Sequence, residues 1–320
     1  MTLSGTPTIQ KELKVKEIFF LSLRLYKRNF LRFLAIFLLA EAVIVPINIF
    51  IQLFFPVQYP SPTATGFPFL DQLTSGFAAI PQSLVTVAIL SPITSISDGM
   101  GVSLTAEMVE KEGSGLHTSY KTTIGSFRQI WYLALITGFV ISLSDLFFAP
   151  LILFTILFFM ALPAVIIEHK GALGGIVRSR RLLSKRWGQI FLLLLIEGAI
   201  VALPTLAIEQ IISFPSPLGM IVFGIQGALV GPLYAIVSTI AFYSNATRLS
   251  NEERQKKEIE TSKTYRLWIC RNCKTSFASV SMPSPTAFGG CRAAKHGFFS
   301  EPRHEWVENP LLPSTNAEPR

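Results

Sequence analysis

Apolar residues gather in six long runs, at 33–55, 76–96, 130–148, 151–167, 190–212 and 218–243, with polar residues filling the stretches between them. A helix needs roughly 20 mostly apolar residues to cross the hydrocarbon core of a bilayer. The pattern therefore predicts an all-α membrane protein with six transmembrane helices. The fourth run is short and follows Pro150 closely, which makes runs three and four a tight hairpin. The sixth is long enough to tilt.

The stretches ahead of the odd runs resemble one another. Ser22 is followed eight residues later by Phe30, Ser119 by Phe127 and Ser179 by Trp187. A base stands two residues after each Ser, at Arg24, Lys121 and Arg181. Each even run carries a proline, Pro92, Pro163 or Pro232. The unit is an amphipathic lead-in helix plus a helical hairpin, repeated three times. Around the first copy, Lys14, Glu17, Arg24 and Arg28 line one stripe, and Val15, Ile18, Phe19, Leu25 and Tyr26 line another. In the third, Arg178, Arg181 and Lys185 oppose Leu173, Ile176, Leu183 and Trp187. Helices so patterned lie in the headgroup plane with their bases near lipid phosphates. Arg24, Lys27, Arg28, Arg178, Arg181 and Lys185 are the expected headgroup contacts, with ordinary juxtamembrane anchoring as the plainer alternative. The middle copy, 117–127, is weaker, with Thr and Gly in place of apolar residues.

Charge orients this arrangement. Of the 28 Lys and Arg, seven precede the first run, three lie between runs two and three, six between four and five, and twelve follow the sixth. The other three connections contain none, so the positive-inside rule places both termini in the cytoplasm of a multi-pass cell-membrane protein. Only 15% of the chain is charged and half is apolar, against about a quarter charged in a soluble domain. The net charge of +8 then points to anionic lipid headgroups on the cytoplasmic side rather than to nucleic acid. The first run sits behind seven basic residues and is too long for a signal peptide's apolar segment.

The segment 161–189, ALPAVIIEHKGALGGIVRSRRLLSKRWGQ, resembles the membrane domain fused to some glycerophosphoryl diester phosphodiesterases and its YciC-like relatives. That family shows an apolar span ending in Pro and Glu, a glycine turn, and a basic Ser-containing helix ending in Trp. The matching residues are Pro163, Glu168, Gly171, Ser179, Arg181, Leu182 and Trp187. A second match, GPLYAIVSTIAFYSNATRLSNEE, carries Pro232, Tyr243 and Arg248, with Ser244 and Asn245 where the family commonly has an Asp. The resemblance covers roughly residues 10–255. It implies a six-helix membrane module and no phosphodiesterase chemistry, because no stretch of the chain could form the catalytic barrel.

Charged groups at bilayer depth are costly and are functional candidates by default. Glu41 and Glu197 lie at comparable depths in runs one and five. Asn48, Gln52, Gln82 and Gln226 add hydrogen-bonding capacity, and Glu209 lies near the far end of run five. No Lys, Arg or His falls within a run to pair with the acids. They line a polar path, or they fix helix packing by interhelical hydrogen bonds.

Beyond the membrane domain, 1–250, the composition changes. Residues 251–265 form a charged linker or helical extension, 266–308 a small module, and 309–320 a Pro-rich polar tail expected to be disordered. Cys270 and Cys273 form C-x-x-C, and Cys291, His296 and His304 follow. Thiolates and imidazole at such spacing suit structural, tetrahedral Zn²⁺. The expected site is a zinc-ribbon-like β module held by Cys270, Cys273, Cys291 and His304, whose surroundings resemble the His-x-Trp ending of archaeal zinc ribbons. His296 is the rival fourth ligand. A thioredoxin-like redox site needs a domain of about 100 residues, which the tail cannot supply. Metal ligation would provide folding free energy that so small a core lacks.

Neither HExxH nor GxSxG occurs, so the chain is not expected to be an enzyme. The leading expectation is a non-catalytic, lipid-engaging membrane module whose zinc ribbon recruits a cytoplasmic protein. The alternative is a transporter or lipid-translocating protein that uses Glu41 and Glu197.

Overall fold

A computed structural model describes residues 12–54, 68–110, 115–144, 148–212, 216–264, 266–270, 276–279 and 306–308. The chain forms two compact units, Met1–Arg248 and Leu249–Arg320.

The first unit is helical. Its elements are α1 (Val15–Arg28), α2 (Phe30–Phe54), α3 (Pro68–Glu110), α4 (Leu116–Ser144), α5 (Phe148–Phe158), α6 (Ala161–Ile167), α7 (Ala172–Leu183) and α8 (Trp187–Glu209), followed by the start of α9 (Pro217–Thr264). Five helices, α2, α3, α4, α8 and α9, are long and apolar enough to cross a membrane. Large apolar side chains on them face outward, among them Leu31, Leu39, Leu53, Leu195 and Leu203. Such a belt is a liability in water and suits lipid.

The fourth apolar run departs from a single span. It is split into α5 and α6 at Phe159 and Met160. Pro163 has no N–H to give the Phe159 carbonyl, and its ring crowds that position. The Leu157 carbonyl, which a continuous helix would bond internally, instead accepts from Ser179 Oγ at 2.6 Å. The second and sixth runs are longer than expected. α3 continues 14 residues past the predicted boundary to Glu110, and α9 runs as helix through 251–264.

The positions matched by the serine and aromatic spacing are alike in burial. Ser22, Ser119 and Ser179 are fully buried, and so are Phe33, Ile130 and Ile190, three residues beyond the paired aromatics. Ile36, Leu133 and Leu193, one turn further on, are buried as well. The lead-in helices of copies one and three are separate elements. Asn29 closes α1 by donating its N–H to the carbonyls of Leu25 and Tyr26. Lys185, with φ of 69°, turns the chain between α7 and α8. The middle copy has no such break, so its lead-in and span form one helix, α4. α1 packs on α8, and α7 packs on α6 and α5 and also on α4.

The segment 161–189 is held by close local contacts. A Cβ on Gly175 would lie 2.9 Å from the Ala161 carbonyl oxygen, so glycine lets α7 cross α6 closely. Gln129 on α4 accepts the Ala172 N–H at 3.4 Å. Glu168 bonds Arg178 and Lys170, both at 2.7 Å. The left-handed residue of the turn is His169, with φ of 51°, rather than a glycine.

The ends of this unit meet. The Leu13 N–H donates to Ser244 Oγ at 2.8 Å. Arg186 pairs with Glu12. Arg248 Nη2 donates to the carbonyls of Leu182 and Ser184, each at 2.9 Å. Tyr26, on α1, donates to the Leu229 carbonyl at 2.6 Å, and burial raises its pKa above the ordinary value.

In the second unit, β1 (Arg266–Cys270) pairs antiparallel with β2 (Ser276–Ser279) on one side and β3 (Trp306–Glu308) on the other. Cys270 stands opposite Trp306. Cys273, Cys291, His296 and His304 lie outside the described residues, as does the tail after Glu308.

Candidate functional site

α2 lies in a groove of α9 formed by Gly224, Gly227 and Gly231. A Cβ at Gly227 would come 2.8 Å from Glu41 Oε1, and one at Gly231 2.9 Å from Phe37 Cδ1. At Gly224 the obstruction would be Val45. Phe37, Glu41 and Val45 recur every four residues and form one ridge, and small residues let two membrane helices approach along it.

Beside this contact is a cavity of about 350 Å³ between α2, α3, α8 and α9. Glu41 and Asp98 both line it, together with Thr94, Ser97, Thr205 and Gln226. Among the described residues no Lys, Arg or His lines its wall. Asp98 is the residue that sequence reasoning missed. It lies just past the predicted end of the second span, in a stretch rich in Ser and Gly that resembles a loop by composition. Small residues there instead permit close packing: a Cβ on Gly101 would sit 2.9 Å from Ala235 Cβ on α9.

Glu197 lines a second cavity, of about 650 Å³, walled by α5, α8 and α9. The two cavities share Val201, Thr205, Val230 and Gly231. Glu197 is only 7% exposed, and neither carboxyl oxygen has a hydrogen-bond partner among the described residues. Glu41 and Glu197 thus occupy neighbouring cavities rather than one.

The remaining expected residues fall into two groups. Gln226 Nε2 donates to the Val201 carbonyl at 2.9 Å and to Thr205 Oγ1 at 2.8 Å, which ties α9 to α8. Asn48 is half-buried on α2 and lines neither cavity. Gln82 has no described side chain. Arg24, Lys27, Arg28, Arg181 and Lys185 are exposed on or beside the lead-in helices. Arg178 is half-buried and engages Glu168 through Nε and Nη2. Among the described residues no group of His, Cys, Asp and Glu could hold a metal ion.

No family model, curated protein or solved structure matches the chain.

Proposed function

We propose that the chain is a cation-translocating membrane protein of the cell membrane, with the Glu41–Asp98 cavity as its binding site for protons or a small cation. The observation that carries this reading is the convergence of two carboxyl groups from separate helices on one cavity with no basic residue among its described lining. Two acids so placed repel each other and gain most from a positive charge between them. In this reading the six-span, threefold repeat stands with both termini in the cytoplasm, α5 and α6 together forming the fourth span. The likeness to phosphodiesterase-associated membrane domains bears on architecture alone.

The test is reconstitution in liposomes with an entrapped pH dye and an imposed membrane potential. Proton uptake at least tenfold above empty liposomes, abolished in Glu41→Gln/Asp98→Asn, is the expected result. Uptake equal to that of empty liposomes, or unchanged in the double variant, overturns the reading.

A second reading rests on the exposed mixed faces of the lead-in helices. α7 presents Leu173 and Val177 beside Arg180 and Arg181, and α1 presents Phe20 beside Lys16, whose Nζ lies 5.9 Å from the ring centroid. Such faces suit a non-catalytic module that engages anionic lipid headgroups. Either reading accommodates a tail in which Cys270, Cys273, Cys291 and His304 or His296 hold structural Zn²⁺ and recruit a cytoplasmic protein. The pairing of Cys270 with Trp306, two residues after His304 in sequence, supports the ribbon.

A further inference from the structure

The larger cavity is built differently from the Glu41–Asp98 cavity. Its wall is mostly apolar, from Leu194, Val201, Leu206 and Leu233, and the polar group buried in it is Glu197. Val201 and Leu206, at its rim, are exposed on a helix apolar enough to span a membrane. The cleft therefore opens where lipid chains would lie. Its volume of about 650 Å³ is within the roughly 300–1,000 Å³ of small-molecule sites.

Buried carboxyl groups are ordinarily hydrogen-bonded or paired. Glu197 has neither kind of partner among the described residues, and it faces an open cleft rather than a packed core. Tyr234 and Thr155 also line the wall, and Glu209 adds a second acid at the exposed end. The missing complement is a positive charge carried on an apolar body.

We infer that the cleft between α5, α8 and α9 binds an amphiphilic cation from the membrane, its charge at Glu197 and its apolar part along Leu194, Val201 and Leu206. Neutral lipophiles fit the walls but leave Glu197 unpaired. Anionic lipophiles meet two carboxyl groups. Specificity thus follows charge at constant shape. The inference rests on the membrane-spanning reading above, and not on flux through the inner cavity.

Glycine supplies an independent handle. Gly198 lines the cleft, and a Cβ there would meet nothing within 4 Å. The leucine of Gly198→Leu therefore starts from an unobstructed Cβ and is expected to occupy the cleft.

The test is equilibrium binding of tritiated tetraphenylphosphonium to the purified full chain in detergent, with tetraphenylborate, of matched shape and opposite charge, titrated in a separate sample because the two ions pair and precipitate when mixed. The expected result is saturable tetraphenylphosphonium binding, weakened at least tenfold by Glu197→Gln and by Gly198→Leu, and no saturable tetraphenylborate binding. Absence of saturable tetraphenylphosphonium binding, wild-type affinity in Gly198→Leu, or equal affinity for tetraphenylborate overturns the proposal. If Glu197→Gln elutes as aggregate on size exclusion, Gly198→Leu decides the matter. Binding is read without a membrane potential, so a chain that binds yet moves no protons overturns only the transport reading. One that moves protons and shows no saturable binding overturns only this site.

Discussion

Glu41 on α2 and Gly227 on α9 are in such close approach that a single added carbon at Gly227 would sit 2.8 Å from the carboxyl oxygen. The acid is thus placed by a glycine on another helix. In Gly227→Ala the added carbon meets the far end of a flexible side chain, so Glu41 swings off its position at little cost to the fold. The expected outcome is reduced proton uptake with an apparent Tm in detergent close to wild type. Gly125→Ala is the comparison, because a Cβ there meets nothing within 4 Å. It is expected to hold or slightly raise the Tm, since alanine is favoured over glycine in a helix by about 1 kcal/mol.

Ser179 supplies the hydrogen bond that closes the break between α5 and α6. Its removal leaves the Leu157 carbonyl without that donor, at a cost of roughly 1–3 kcal/mol. Ser179→Ala should therefore lower the apparent Tm clearly. Ser22→Ala, at the matching repeat position, should do less, because Ser22 Oγ bonds the Ile18 carbonyl of its own helix. Equal losses in the two variants would show that the interhelical bond has no special weight.

Orientation can be read by cysteine labelling on a background with Cys270, Cys273 and Cys291 replaced by Ser. A cysteine introduced at Ser61, in a connection free of Lys and Arg, is expected to react with a membrane-impermeant maleimide added outside intact cells. One introduced at Ser184 is expected to react only after permeabilisation. The reverse pattern would invert the topology drawn from the basic residues.

Metal analysis decides the tail. The full chain is expected to carry about one zinc ion, with most of it lost in Cys270→Ser. Comparing His296→Ala with His304→Ala identifies the fourth ligand as the one whose loss lowers metal content. Less than about half an ion per chain, unchanged by Cys270→Ser, would remove the ribbon from consideration.

The apolar runs made α2, α8 and the membrane part of α9 legible, because their length and hydropathy exceed what a soluble helix of that size carries. The serine and aromatic spacing made the lead-in helices legible too, and the burial of Ser22, Ser119 and Ser179 gives that spacing a packing role. Asp98 was not legible. Ser97, Gly99, Gly101 and Ser103 around it reduce hydropathy, and close helix packing is a tertiary property that composition does not carry. A usable signal was present in Val102, Ala106 and Val109, whose helical spacing continues the buried face of α3 beyond the apolar run. Pro163 stands within the fourth run, but the donor that satisfies the carbonyl at the break is Ser179, 22 residues from Leu157, which no local window contains. Likewise, nothing in the sequence separates Glu41 from Glu197 into different cavities, because that follows from which helices stand between them.

The bond from the Leu13 N–H to Ser244 spans 231 residues. A chain emerging from the ribosome can dock α1 on α8 first, with Glu12 meeting Arg186, but it gains the Ser244 bond only after α9 has been made. Fastening of α1 is thus staged, and a truncation before α9 would leave it without its bonds to Ser244 and Leu229. Quality control that reads the second stage thereby senses whether synthesis has passed Ser244.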